Sequence, residues 1–351
     1  MSDKRVLIAG PLPPPWGGAA VSFALFKEWV EEQEPGAKFF DLRWRRSSQE
    51  SLLGLFALWC NFTLFCSLFK ESLAYPHLVL FGSQRFVAWF GGPLLLLLRL
   101  FCVTVSLRIF GGGFDSYLAS FPFPLRHYLY WSLGYAKTIV LQTEEVQKAL
   151  QNKISTNLLV VANYRKKRDF SVAEVPPKPF RFLYAGFVRE EKGINELLQA
   201  FTTLRETNEE IELHLLGPLF IKVKSRAGVS VVGEKEQEEV FRLFQSSHCF
   251  VYPTRWQREG LPGVLIEAGL AGLPIITTDW KAIPTMIEDG KNGLLAKAGD
   301  GEQLARQMKR MMDDEQLRKE LAVNNKEAML DYTVERVCPI LAQSLGVLAS
   351  D

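Results

Sequence analysis

Short, nearly continuous apolar runs alternate along this chain with longer stretches in which apolar positions recur at helical spacing. The first run, Arg5 to Gly10, predicts a strand. A proline-rich loop through Trp16, Gly17 and Gly18 follows, and then a helix from Ala19 to about Glu32 whose Val21, Leu25 and Trp29 share one face. Strand-like runs recur near Lys38 to Leu42, His77 to Gly82, Cys102 to Phe110, Thr138 to Gln142 and Leu158 to Asn163, with helical spacing between most of them. Strands buried on both faces read as unbroken apolar runs, so this alternation predicts a parallel sheet covered by helices on both sides.

Between Tyr164 and Pro179 the pattern lapses into polar and proline-bearing sequence, Arg165-Lys166-Lys167-Arg168 and then Pro176-Pro177-Lys178-Pro179. The alternation then restarts with a strand at Arg181 to Ala185, a loop from Gly186 to Gly193, a helix from Ile194 to Arg205, and strands at Glu212 to Leu216 and Val229 to Val232. A helix at Glu236 to Gln245 and a strand at His248 to Tyr252 complete the series. The chain therefore divides into a domain over 1–165, a linker over 166–178 and a second domain over 179–331. The segment 332–351 has Val334, Val337, Ile340, Leu341 and Leu345 at near-helical spacing; it suits either a helix returning to the first domain or ordinary packing.

Two apolar stretches need a decision. Phe86 to Leu107 contains five consecutive leucines, but Gly91-Gly92-Pro93 and Arg99 interrupt it, which favours a buried helix running into a central strand over a membrane span. Leu52 to Phe69 is aromatic-rich and follows Arg43, Arg45 and Arg46, a pattern that fits an interfacial helix on anionic lipid or an amphipathic core helix equally well.

Composition narrows the function classes. A chain of 351 residues that is 48% apolar and 23% charged buries enough surface to exclude a disordered or fibrous protein. A formal charge of +2 gives no footprint for a nucleic-acid partner. The charge is uneven, 16 basic against 11 acidic residues over 1–165, so an anionic partner is expected at the first domain if anywhere. The five cysteines form no C-x-x-C pair and no cluster with the four histidines, which suits a reducing cytoplasm and excludes a zinc pattern. No secretory signal is visible in the first residues, and Asp-x-Asp occurs nowhere.

Chemistry concentrates in Tyr252 to Thr278, YPTRWQREGLPGVLIEAGLAGLPIITT. A strand ends at the loop Glu259-Gly260-Leu261-Pro262-Gly263, and a helix opens near Val264 and stops around Gly272. Glycines at 260 and 263 allow backbone N–H groups to approach a ligand, and a helix N-terminus presents a positive dipole end to phosphate. Glu267, about one turn into that helix, can accept hydrogen bonds from the vicinal hydroxyls of a sugar while the loop holds phosphates.

Glu259 and Glu267, seven residues apart in the intervening sense, resemble the Glu-seven-Glu motif of retaining family 4 glycosyltransferases, as do the flanking Gly-Leu-Pro and Gly-Leu-Pro-Ile-Ile-Thr-Thr segments. The resemblance implies an α/β chain of the GT-B class, two Rossmann-like domains facing each other across a cleft. It implies that Glu259 lies beside the transferred sugar and that Glu267 binds the ribose of the nucleotide. Leu183-Tyr-Ala-Gly-Phe-Val-Arg-Glu-Glu-Lys-Gly193 is similar to the family's strand-loop segment, in which an Arg and a Lys clamp the donor diphosphate. Lys192 matches the Lys, whereas Phe187 stands at the Arg position, leaving Arg189 as the substitute or as a surface residue. Gly17 and Gly18 resemble a glycine pair that approaches donor phosphates or acceptor, and Gly186 and Gly217 are further candidate donor-binding residues. Phe110 stands where many relatives carry a His, and Asp115 either touches the acceptor or, as its position favours, caps the next helix.

What the resemblance implies as a whole is a retaining, metal-independent transferase that moves a sugar from a nucleotide-sugar, most commonly a UDP-sugar with GDP as the other choice, to a glycan or lipid-linked acceptor in surface-polysaccharide assembly. Its catalytic set is Glu259, Lys192 and Arg189, with no metal and no cofactor beyond the donor. Its setting is the cytoplasm, peripherally at the inner face of the cytoplasmic membrane through the first domain. The rival readings are a catalytically silent subunit, suggested by Phe187 and Phe110, and another nucleotide-sugar enzyme using the same site.

Overall fold

The computed structural model describes residues 6–14, 16–42, 53–168 and 178–348, and for 53–61 the backbone alone. Arg43, Arg45 and Arg46, and residues 169–177 of the expected linker, lie outside the described residues. The chain forms two units, Met1–Tyr164 together with Val334–Asp351, and Arg165–Thr333. The C-terminal segment thus packs with the first unit, and the chain crosses between units next to Tyr164 and Thr333.

The first unit holds strands β1 (Val6–Gly10), β2 (Lys38–Asp41), β3 (His77–Ser83), β4 (Thr104–Phe110), β5 (Thr138–Leu141) and β6 (Asn157–Val160). They form one parallel sheet in the order β2-β1-β3-β4-β5-β6. Successive side chains point to opposite faces of a strand, and here both faces are apolar. Leu7, Leu78, Leu80, Leu107, Ile109 and Leu141 enter one core cluster. Ile8, Val79, Phe81, Phe110 and Val140 enter the other, beneath the helices Gly18–Gln33 and Val334–Leu345.

The second unit repeats the arrangement with β7 (Phe180–Ala185), β8 (Ile211–Leu216), β9 (Val229–Gly233), β10 (Cys249–Tyr252), β11 (Ile275–Thr278) and β12 (Leu294–Ala296). The order is β12-β11-β10-β7-β8-β9, again all parallel. Strand order reverses at β7, which lies between β8 and β10. In open parallel sheets the loops leaving such a switch point diverge and leave room for a ligand at the carboxyl ends of the strands. The loops after β7 and β10 are the Gly186–Gly193 and Pro253–Pro262 segments, so topology alone brings Lys192 and Glu259 to one end of the sheet.

Several expectations shift. The strand expected from Cys102 begins at Thr104, because Cys102 adopts a left-handed turn at φ 58°. The strand expected to reach Asn163 stops at Val160; Asn163 instead accepts hydrogen bonds on Oδ1 from the Ser22 hydroxyl and the Tyr164 N–H. Phe86 to Leu107 is a helical run, Val87–Gly91 in π geometry and then Gly92–Leu100 with Pro93 in its first turn, leading into β4. No helix among the described residues is long and apolar enough to cross a membrane. The helix Leu53–Ser72 buries Phe65 and Leu68 and exposes Phe62. Asp115 is not a cap: Gly113 holds that position, and Asp115 lies inside the first turn of the helix Phe114–Ala119, where its charge complements the dipole.

Candidate active site

Tyr252 ends β10, and Thr254, two residues on, continues its side-chain alternation, so both reach toward the same partner. That partner is Glu259. Its Oε2 accepts from Lys192 Nζ at 2.5 Å, Thr254 Oγ1 at 2.7 Å and Tyr252 Oη at 3.2 Å, while Lys192 Nζ also donates to Tyr252 Oη at 2.6 Å. Lys192 is 4% exposed and Glu259 6%. An ammonium and a carboxylate this deep are tolerable only as a hydrogen-bonded pair. Burial pushes the Lys192 pKa down, with Glu259 opposing it. Burial, with the charge of Glu259 added, drives the Tyr184 and Tyr252 phenols well above 10.

The loop backbones are fixed from behind by β11. Thr277 Oγ1 donates to the Tyr252 carbonyl at 2.8 Å, and Thr278 Oγ1 to the Thr254 carbonyl at 2.6 Å. Gly193 has φ 75°, and a methyl group there would overlap the Pro253 carbonyl oxygen. Gly217, at φ 124°, packs on the Gly186 carbonyl in the same way, while Gly186 itself adopts φ 144°. These three glycines let the loops after β7, β8 and β10 approach one another at backbone distance.

Arg189 is half-buried beside the pair. Its guanidinium carbon lies 5.6 Å from the Trp256 ring and 5.2 Å from Phe220, and Lys192 Nζ lies 4.5 Å from the same Trp256 ring. Two cations close to one indole ring form a positive locus. Arg189 Nε is also tied to Glu191 Oε2 at 3.2 Å. Phe187, in place of an Arg, stacks edge-on against Phe220 at 5.4 Å and supplies no charge.

The helix Gly263–Leu270 begins at Pro262, and no side chain caps it. Its first-turn N–H groups therefore include donors without an intrahelical acceptor. Gly260, Leu261, Pro262 and Gly263 are buried, and within the helix only Val264 and Glu267 are partly exposed. Arg165 Nε donates to Glu267 Oε1 at 2.5 Å.

The second unit thus assembles Lys192, Glu259, Arg189, Gly186, Gly217 and the 260–267 segment. Gly17 and Gly18 belong to the first unit, at the start of the helix Gly18–Gln33; neither has positive φ, and a methyl group on either would meet nothing within 4 Å. Packing does not require glycine there. Phe110 is a core residue, 6.1 Å from Phe81 and beneath the fully buried Arg108 guanidinium. Sequence reading missed Tyr252, Thr254, Trp256 and Arg165. For Tyr252 and Thr254 the i, i+2 spacing at a strand end was the available signal; for Arg165 there was none, since a basic run reads as solvated linker. Among the described residues no group of His, Cys, Asp and Glu could hold a metal ion.

Residues 165–328, nearly all of the second unit, match the family Glycosyl transferases group 1. Over 154 residues the chain is 25% identical to the capsular polysaccharide biosynthesis glycosyltransferase CapM of Staphylococcus aureus, which is 41% of this chain and 40% of CapM. The chain thus spans about two fifths of that relative's length. Sucrose-phosphate synthase from Thermosynechococcus elongatus superposes with a TM-score of 0.75 over 97% of this chain and 98% of its own, at 16% identity. HepE of Anabaena, in a complex with UDP, superposes with a TM-score of 0.70 over 98% of this chain and 100% of its own, also at 16% identity. These likenesses show the fold, which is GT-B.

Proposed function

We propose that this chain, with a group 1 glycosyltransferase domain over 165–328, transfers a sugar from a nucleotide-sugar to a glycan or lipid-linked acceptor in polysaccharide assembly. One observation carries the reading: a buried Lys192–Glu259 pair opens the loop that leads to an uncapped helix N-terminus and to Glu267. Few structural needs explain so much desolvated charge in the loop that leads to an uncapped helix N-terminus.

In this reading the donor diphosphate lies against the first turn of Gly263–Leu270. Two of the three Lys192 N–H donors go to Glu259 and Tyr252, which leaves the third for a phosphate oxygen. Arg189, half-buried against Trp256, adds the second cation in place of the Arg absent at Phe187. As the bond between the anomeric carbon and the diphosphate oxygen lengthens, negative charge grows on the leaving group, where these cations stabilise it. Glu259, pinned by three donors, is held on the opposite sign of that separation, next to the carbon that becomes positive. The acceptor oxygen bonds to the anomeric carbon on the face the leaving group vacates, and its proton passes to the departing phosphate oxygen. That route retains configuration, needs no metal and does not require a His at Phe110. UDP is the nucleotide favoured, on the precedent of HepE, and Gly17 and Gly18 are the first unit's candidates for contact with acceptor or phosphate.

The first unit offers a surface for a lipid-linked acceptor. Trp89, Leu97, Leu100, Phe101, Phe123 and Trp131 are exposed. Arg99 and Lys153 lie over Tyr135 and Tyr130, and Asp115 is the one acidic residue between Gln84 and Leu133. Exposed aromatics among basic residues suit the interface of an anionic membrane, in the cytoplasm.

Calorimetric titration with UDP, GDP, ADP and UMP, first without metal and then with magnesium, tests the reading. Micromolar binding of one diphosphate, much weaker binding of its monophosphate and no dependence on magnesium are expected. Binding of none would leave the silent-subunit reading standing.

A further inference from the structure

Glu267 is gripped by a residue to which the chemistry above gives no role. Arg165 is the first residue of the second unit, and its backbone is fixed there: its N–H donates to the Tyr332 carbonyl at 2.9 Å, and it forms a parallel bridge with Thr333, the last residue of that unit. The side chain is 7% exposed and runs across the start of the helix Gly263–Leu270. A methyl group on Gly263 would overlap its guanidinium, and Nε reaches Glu267 Oε1 one turn further on. The planar fork therefore lies flat on the first turn from Gly263 to Glu267, and glycine at 263 leaves it room. Among the described residues the Glu267 side chain has no other hydrogen-bond partner, so Oε1 is committed and Oε2 is not.

We propose that Arg165 is a positioning residue of the nucleotide site, an inference that rests on reading Glu267 as the ribose ligand. A free Glu side chain would lose its rotamer freedom when the nucleotide arrives; Arg165 imposes that loss beforehand, on the folded protein. With Oε1 held, Oε2 is the atom presented to the vicinal ribose hydroxyls. A Lys could supply the charge but not a planar guanidinium that packs on Gly263 while its Nε–H reaches Glu267.

The test is calorimetric titration of the full chain and its Arg165→Ala and Arg165→Lys variants with UDP (GDP if that is the nucleotide bound) and with the 2′,3′-dideoxy analogue of the same nucleotide. Arg165→Ala should weaken UDP binding about tenfold, the scale of one hydrogen bond to a charged group, and the dideoxy analogue less than about twofold. Arg165→Lys should resemble the Ala variant, and in a Glu267→Ala background Arg165→Ala should change UDP affinity by less than about twofold. Equal losses for UDP and its dideoxy analogue would place Arg165 on the phosphates and overturn the proposal. So would unchanged UDP affinity in both variants, or additive losses in the double variant. If Arg165→Ala does not fold, Arg165→Lys, which keeps the backbone bridge to Thr333, gives the same decision. Failure of the unaltered protein to bind either nucleotide overturns the nucleotide-sugar reading and this inference with it, and is distinguished by that result alone.

Discussion

Glu259 and Glu267 have the same chemistry and opposite surroundings. Glu259 is buried under three donors, whereas Glu267 is partly exposed and held by one. Removing the charge at Glu259 acts on the separated charges of the transition state, so Glu259→Gln should lower kcat by about 10²- to 10³-fold with little change in UDP affinity. Glu267→Ala should instead weaken UDP by about tenfold, with a smaller effect on kcat. Steady-state kinetics with calorimetry separates the two, and equal small effects would remove the assignment. Arg189 presents a further choice. If it neutralises diphosphate, Arg189→Ala weakens UDP more than UMP; an unchanged UDP affinity would leave it a residue that merely pairs with Glu191.

At the scale of elements, the loops after β7, β8 and β10 meet at glycines whose φ values no other residue adopts without strain. Gly193→Ala meets both a left-handed backbone and the Pro253 carbonyl, and should destabilise the second unit by about 1–3 kcal/mol or more, read as a lowered thermal midpoint. Gly17→Ala and Gly18→Ala meet neither obstacle. Their thermal midpoints should stay within about 1 °C to 4 °C of the parent, on the scale of ordinary surface substitutions, while turnover falls if the pair lies against substrate. Loss of turnover without loss of stability is the signature to look for, and unchanged turnover would make the pair a turn only.

At the scale of the whole molecule, the C-terminal helix Val334–Leu345 belongs to the first unit, where Val337, Cys338, Leu341 and Leu345 complete one face of the sheet. Beneath its end lies His77, whose pKa burial pushes down to about 4 from 6.5, with Lys137 adding to the shift. The unfolded chain takes up a proton on this residue as pH falls through 6.5, and the folded chain does not until about 4. Stability from this group is therefore whole above 6.5, declines as pH falls, and by about 4 has dropped by about 3 kcal/mol. Thermal melts across that window should be flatter for His77→Gln; parallel curves would show that His77 does not set the slope. The sequence by itself determined the alternation of strands and helices, the two α/β repeats and the Glu259–Glu267 loop, because apolar periodicity and glycine placement are local properties that survive without a fold. Element ends moved wherever a long-range partner intervened, as Ser22 does for Asn163. The tertiary structure alone decided what touches Glu267. Arg165 stands 102 residues away in a basic run that locally reads as solvated linker, and only the closing of the second unit lays it across Gly263. The burial of Phe110 and the threefold clasp on Glu259 were decided in the same way, since side-chain contacts between distant segments depend on the order in which strands assemble, which periodicity does not encode.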